Sequence, residues 1–376
     1  MLRTSNDFTF SFSEKKSINP ASSKGAFMSQ FDPTTTISAE FGIFGIPIEE
    51  SEAKVVLVPV PWEVTTSYGS GASYGPQIVR AASEQIDLFD FETGKAYEAG
   101  YFMREIPTDL WEKNDLYKDK AQELIEMRTN LSGDTKKMDA IVAEVNAACK
   151  EMTTWVYNQC KDVLSKGKLL GLVGGDHSTP LGAIQAVSEK HKGQFGILHI
   201  DAHADLRKSY QGFHQSHASI MYNVMTDKNK PQKLVQVGIR DFCEEEHDFS
   251  ASREDITTFY DLALKRRLMA GESWHQIVQD ILRELPQKVY ISFDIDGLDP
   301  AFCPHTGTPV PGGLSVDQVF YLFSQLAESG RQIVGFDLNE VSTGGLAEEE
   351  AEWDGNVGAR VLYKLCGWSV VTNKNQ

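Results

Sequence analysis

From Lys54 onward the chain repeats one pattern: a short apolar run, a polar turn, then apolar positions at helical spacing. The runs cover 55–60, 169–175, 195–200, 234–239, 289–295 and 333–338, and each reads as a buried strand. Between them, 76–89, 180–191, 261–285 and 315–329 repeat apolar residues every three to four positions, which predicts helices with one buried stripe. Near-continuous apolar strands alternating with helices predict a mostly parallel central sheet covered on both faces, a three-layer α/β/α fold. Residues 101–166 break the rhythm with a long charged stretch at helical spacing, read as an inserted helical pair with a structural or subunit-contact role. Residues 1–40, rich in Ser, Thr, Phe, Lys and Asn without a period, read as an N-terminal arm, which leaves 41–376 as one domain.

Three of the apolar runs end in an unusual way. The segment FGILHIDAHADLR (195–207) sets Asp201, His203 and Asp205 at alternating positions, and a strand turns residues i, i+2 and i+4 to one side. GGDHS (174–178) carries His177 on a glycine turn, and SFDIDGLDP (292–300) carries Asp294 and Asp296. In an open α/β sheet the ligand site lies beyond the carboxyl ends of the strands, so these residues are expected to meet there. A lone DxD is usually a solvated turn and a lone GGDHS usually a strand-to-helix loop; it is their combination at successive strand ends that carries meaning. Carboxylates packed within a few ångströms repel one another and require cations. Two divalent ions would balance Asp201, Asp205, Asp294 and Asp296, and two imidazoles complete a sulfur-free donor set that suits Mn²⁺, Ni²⁺ or Co²⁺. Paired ions of this kind activate water for hydrolysis.

Composition narrows the partners. With 36 basic and 53 acidic residues the formal charge is −17, which disfavours nucleic acid and anionic membrane surfaces and favours a cationic small molecule. Five scattered cysteines without a CxxC pair give neither a disulfide framework nor a thiolate zinc site, as expected of a reducing cytoplasm. No apolar run reaches the length of a membrane span, and the polar start lacks a signal-peptide core. GSGASYG (69–75) is close to a dinucleotide loop, but its third glycine comes one residue late and Pro59 and Pro61 interrupt the preceding strand. HExxH, GxSxG and Walker lysine motifs are absent, which removes the zinc protease, serine hydrolase and P-loop readings.

GGDHS, DAHADLR and SFDIDGLDP resemble the three signature motifs of the ureohydrolase family, the arginases, agmatinases and their relatives. PVPWEVTTSYGSGASYGPQIVRAAS (59–83) is similar to that family's N-terminal strand, glycine loop and helix, and the resemblance runs from about residue 41 to the C-terminus, weakest over 101–166. It implies a binuclear manganese site and hydrolysis of a guanidino group to urea and an amine. It further implies that His177 and His203 hold one ion each, that Asp201 and Asp294 bridge, and that Asp205 and Asp296 are terminal ligands. Glu340, in FDLNEVS, matches the family's acid that grips the guanidinium, a planar fork suited to a carboxylate. His217, in FHQSHAS, matches its proton-shuttling histidine, with His214 as a competitor. His199 reads as a hydrogen-bonded core histidine, His191, His247, His275 and His305 as surface groups, and EEEAEWD (348–354) as a solvated loop or helix start.

Two departures bear on the substrate. Arg207 stands where arginases carry Asn, which argues against arginine, and Met221 and Tyr222 are bulkier than the residues agmatinases show there, which predicts a narrow pocket. This segment resembles the branch that hydrolyses free guanidine with nickel. The expected activity is hydrolysis of guanidine or a short-chain derivative, with agmatine as the alternative and a non-catalytic metal-binding homologue as the contrasting class. Family members form trimers or hexamers, so a homo-oligomer is expected.

Overall fold

The computed structural model describes residues 42–131, 133–345 and 352–374; the arm expected over 1–40 lies outside the described residues. Eight strands form one sheet: β1 (Val55–Val60), β2 (Tyr101–Met103), β3 (Leu169–Gly174), β4 (Gly196–Ile200), β5 (Lys233–Ile239), β6 (Ile256–Tyr260), β7 (Lys288–Asp294) and β8 (Gln332–Asn339). Their spatial order is β2-β1-β3-β8-β7-β4-β5-β6, and every neighbouring pair is parallel.

Strand alternation feeds two separate cores. Along β1, Val55 and Leu57 pack on one face with α1 (Gly75–Ala82), while Val56, Val58 and Val60 pack on the other with α2 (Thr108–Thr129) and α3 (Thr135–Ser165). The second face is completed by α4 (Leu181–His191) and α5 (Ile220–Thr226). At the edge lies α6 (Glu244–Ala251), followed by α7 (Asp261–Met269). Buried residues of α8 (Trp274–Glu284), α9 (Val316–Glu328) and α10 (Glu352–Thr372) complete the first face. Both faces are thereby largely removed from water, which is why most strand positions are apolar.

The expected helix over 261–285 is two helices. The chain breaks at Gly271, whose φ of 92 suits glycine, and restarts where Ser273 and Gln276 form a reciprocal cap on α8. The expected helix over 76–89 ends at Ala82 and continues as a short 3-10 turn, Ser83–Gln85. Residues 101–166 do contain a helical pair, but they open on the edge strand β2, and α3 packs against β1, β3 and α4 as part of the layer covering the sheet.

The strand order is what brings the polar chain segments together. His177 follows β3, Glu340 follows β8, Asp294 ends β7 and Asp201 follows β4, and these four strands lie side by side. Residues separated by up to 163 positions in sequence thus share one end of the sheet.

Candidate metal centre

His177 Nδ1 lies 2.9 Å from Asp201 Oδ2, 3.2 Å from Asp205 Oδ2 and 3.3 Å from Asp294 Oδ2. His203 Nδ1 lies 3.0 Å from Asp296 Oδ2 and 3.5 Å from Asp201 Oδ1. Two donor groups result, and Asp201 belongs to both through its two oxygens.

Local backbone geometry holds these side chains in place. Gly175 allows the GGDHS turn to press on the preceding loop, since a Cβ there would sit 2.0 Å from Trp62 O. Asp201 Oδ1 accepts from His203 N at 2.5 Å, Asp294 Oδ1 from Asp296 N at 2.9 Å, and Asp296 Oδ1 from Ala202 N at 2.9 Å. Asp205 adopts a left-handed φ of 54 while its carbonyl accepts from Met221 N and Tyr222 N at 3.0 and 3.1 Å. Glu340 is likewise left-handed, φ 62, a conformation that a residue with a Cβ keeps only when its surroundings enforce it. Glu340 N donates to Gly175 O at 2.8 Å, its carbonyl accepts from Thr306 Oγ1 at 2.9 Å, and Oε1 accepts from His177 N at 2.9 Å.

The carboxylates are crowded and dry. Burial, then the charges of Asp296 and Asp201, drive Asp294 well above the usual carboxylate range; burial and Asp201 push Asp205 up to about 7. Burial and the charge of Asp176 do the same to Glu340. Burial opposes protonation of His177, yet its bonds to Asp201, Asp205 and Asp294 carry it well above its ordinary value. Among the described residues no Lys or Arg forms an ion pair with the carboxylates of Asp201, Asp205, Asp294 or Asp296; their ion-pair partners are imidazoles. Buried oxygen and nitrogen donors that converge in two groups, with no sulfur and no Lys or Arg ion pair among them, fit a pair of divalent ions of the Mn²⁺ and Ni²⁺ kind.

A cleft of about 520 Å³ opens over the His203 side of this cluster, lined among others by Ser67, Tyr68, Arg207, Tyr210, His217 and Asp241. Glu340 sits deeper, 8% exposed, behind Gly307. His217 Nδ1 lies 3.4 Å from Thr65 Oγ1, its ring meets the edge of Tyr210, and burial followed by the charges of His203 and His177 lowers its pKa to about 4. His214, the competitor for its role, is exposed and does not line the cleft.

The pattern that matches the Arginase family spans residues 53–366. The chain belongs to the arginase family. It is 32% identical over 333 residues to the N(1)-aminopropylagmatine ureohydrolase of Thermus thermophilus, covering 87% of this chain and 93% of the relative. It is 30% identical over 328 residues to the guanidinobutyrase of Pseudomonas aeruginosa, covering 85% and 87%. The fold superimposes on the crystal structure of a hypothetical agmatinase from Burkholderia thailandensis with a TM-score of 0.66 at 22% identity, over 92% of this chain and 94% of that one.

Several expectations for this arginase-family chain need correction. Met221 is buried in the core behind the sheet and Tyr222 packs on Phe249, so neither lines the cleft, and their bulk does not narrow it. His305 is half-buried, and both its backbone N and Nδ1 bond to the Asp354 carboxylate at 2.9 Å. Asp354 belongs to the first turn of α10, so of the two alternatives expected for EEEAEWD its end is the helix start, with Asp354 buried rather than solvated; 346–351 lie outside the described residues. His199 is buried and hydrogen-bonded as expected, but its Nε2 joins the first donor group at 2.8 Å from Asp201 Oδ2. Glu63 went unnoticed in the sequence. Buried at 3% exposure, it accepts from Gly71 N, Ala72 N and Ser73 Oγ and pairs with Lys118, which explains GSGASYG as a loop tied to a carboxylate.

Proposed function

We propose that the chain is a binuclear-metal ureohydrolase that cleaves free guanidine or a short-chain guanidino compound to urea and ammonia or an amine. The observation that carries this reading is Asp201 shared between two donor groups, with Glu340 anchored to the backbone of His177 beside them. In this reading His177 and Asp205 would hold one ion and His203 and Asp296 the other, with Asp201 and Asp294 as the carboxylates available to both. Divalent ions there, manganese or nickel, supply Lewis-acid activation of water. The protein does the rest. Glu340 accepts paired hydrogen bonds from the guanidinium and fixes its plane, and its burial strengthens that charge-assisted contact. His217, on the wall of the cleft beside His203 and unprotonated at its lowered pKa, takes up a proton released from the attacking water and relays it to the departing nitrogen. The named activities of the relatives, on aminopropylagmatine and guanidinobutyrate, are in keeping with a guanidino substrate. Among the described residues no helix is long and apolar enough to cross a membrane. A cytoplasmic homo-oligomer, trimer or hexamer, belongs to the same reading.

A second reading, agmatine as substrate, is favoured by one observation. The cleft is not narrowed by Met221 and Tyr222, and Asp241 and Glu246 line it where a distant ammonium could rest. Urea-release kinetics with guanidine, guanidinobutyrate, agmatine and arginine, on protein loaded separately with Mn²⁺ and Ni²⁺, test both. The highest kcat/KM for guanidine supports the first reading, the highest for agmatine supports the second, and a preference for arginine refutes both.

A further inference from the structure

A row of polar side chains crosses one face of the sheet in lateral register beneath the metal centre. Thr258 on β6 pairs with Gln236 on β5, Gln236 with His199 on β4, His199 with Ser292 on β7, and Ser292 with Asp337 on β8. Gln236, His199, Ser292 and Asp337 are fully buried. Apolar residues would be the simpler filling for such a face, because a buried polar atom is tolerated only when bonded.

The bonds fix where each proton sits. Gln236 Nε2, which can only donate, points at His199 Nδ1 at 3.0 Å and at Ala204 O at 2.7 Å, while Gln236 Oε1 accepts from Thr258 Oγ1 at 3.0 Å. Rotating that amide would set its oxygen against the Ala204 carbonyl. His199 Nδ1 is therefore an acceptor, the proton of its neutral ring is on Nε2, and that proton is donated to Asp201 Oδ2. On the other side, His177 Nδ1 faces the carboxylates, so Nε2 donates to Ser292 Oγ at 2.9 Å, and Ser292 Oγ donates to Asp337 Oδ1 at 3.0 Å. Phe293 N and Asn339 Nδ2 also donate to Asp337 Oδ1, at 3.2 and 2.5 Å, and hold it against the strand.

We propose that this row positions the metal ligands: Thr258 and Gln236 hold His199 as the donor that orients Asp201, and Ser292 with Asp337 hold His177 with its Nδ1 turned to the site. His199 is then a positioning residue rather than a ligand. The inference rests on the metal-centre reading above. Partners of this kind change metal affinity by about 10–100-fold when removed.

The test is competition for Mn²⁺ against a chromophoric chelator, on the full chain, with circular dichroism to verify the fold. Ser292→Ala and Gln236→Glu should weaken binding about 10–100-fold. Gln236→Glu is the sharper of the two, since a carboxylate cannot donate to His199 Nδ1 and leaves the shape of the site unchanged. His199→Gln, whose amide nitrogen can replace imidazole Nε2, should bind metal nearly as wild type does, and His199→Phe should not. Wild-type affinity in folded Ser292→Ala and Gln236→Glu overturns the inference, as does equal weakening in His199→Gln and His199→Phe, the result expected of a ligand. His177→Ala separates the two readings. If it keeps its full metal content the metal centre itself is wrong; if it loses metal while the row variants do not, only this inference fails.

Discussion

Replacing Glu63 with Ala should destabilise the fold and disturb the cleft together. The carboxylate accepts from Gly71 N at 2.9 Å, Ala72 N at 2.9 Å and Ser73 Oγ at 3.2 Å, and neutralises Lys118, whose side chain is only 18% exposed. Its removal leaves a mostly buried ammonium and two backbone donors unpaired. Breaking a buried ion pair costs about 3–5 kcal/mol. Because Lys118 retains some contact with water, the low end applies to the pair, and the stranded amides return the total to about 4 kcal/mol. Glu63→Gln keeps an acceptor but loses the charge, and should cost about half as much, ~2 kcal/mol. Equilibrium unfolding in guanidinium chloride measures both, and Lys118→Met added to Glu63→Ala should recover about 1–3 kcal/mol as a coupling energy. The functional consequence follows from packing: a Cβ on Gly69 would meet Gly307 O at 2.6 Å, and one on Gly71 would meet Thr343 Oγ1 at 2.7 Å. A released loop therefore loosens the wall beside Glu340, and KM for the guanidino substrate should rise. A cost below about 1 kcal/mol for Glu63→Ala, or strict additivity with Lys118→Met, would refute the reasoning.

Two further outcomes are expected. Burial, then Lys288 and Lys190, lower the His191 pKa to about 4, and Lys288 Nζ lies 3.2 Å from His191 Nδ1; since its unfolded value is near 6.5, stability should be unaffected above pH 6.5 and fall as the pH drops toward 4. Melting temperatures of wild type and His191→Gln should thus diverge less at pH 7.5 than at pH 5, with the variant losing less on acidification. Arg207 lines the cleft, over the Tyr210 ring and 3.5 Å from Glu246, whereas Tyr222 does not line it; Arg207→Ala should shift KM severalfold and Tyr222→Ala less than twofold, and steady-state kinetics showing the reverse would contradict the placement of the cleft.

The central sheet was legible because six of its strands are continuous apolar runs with polar exits. The two strands that escaped notice are edge strands: β2 is three residues long, and β6, ITTFY, is mostly half-exposed and has polar residues where the others are apolar. The α10 sequence gave no helical stripe because nearly its whole surface is buried, with three glycines along it. The glycine at 271 splits 261–285, yet apolar spacing on either side runs in a compatible phase. At the site, residues at strand exits could be nominated because alternation aims them together. Residues that act through partners could not: Ser292, Asp337 and Gln236 sit inside strands, and only their polarity in otherwise apolar runs marks them. The reach of Glu63 to Lys118 spans 55 positions and depends on how α2 docks, which no local pattern encodes.

The paired-ion account is tested most directly by counting metal and urea together. Protein stripped with a chelator and reloaded with Mn²⁺ or Ni²⁺ is assayed for bound metal by mass spectrometry and for urea released from guanidine and agmatine, in wild type and in Asp201→Ala. The account predicts two ions per chain in wild type, urea release that rises with loading, and loss of both ions in folded Asp201→Ala, because Asp201 belongs to both donor groups. An active wild type holding one ion or none, or an Asp201→Ala variant that keeps two ions, would contradict it.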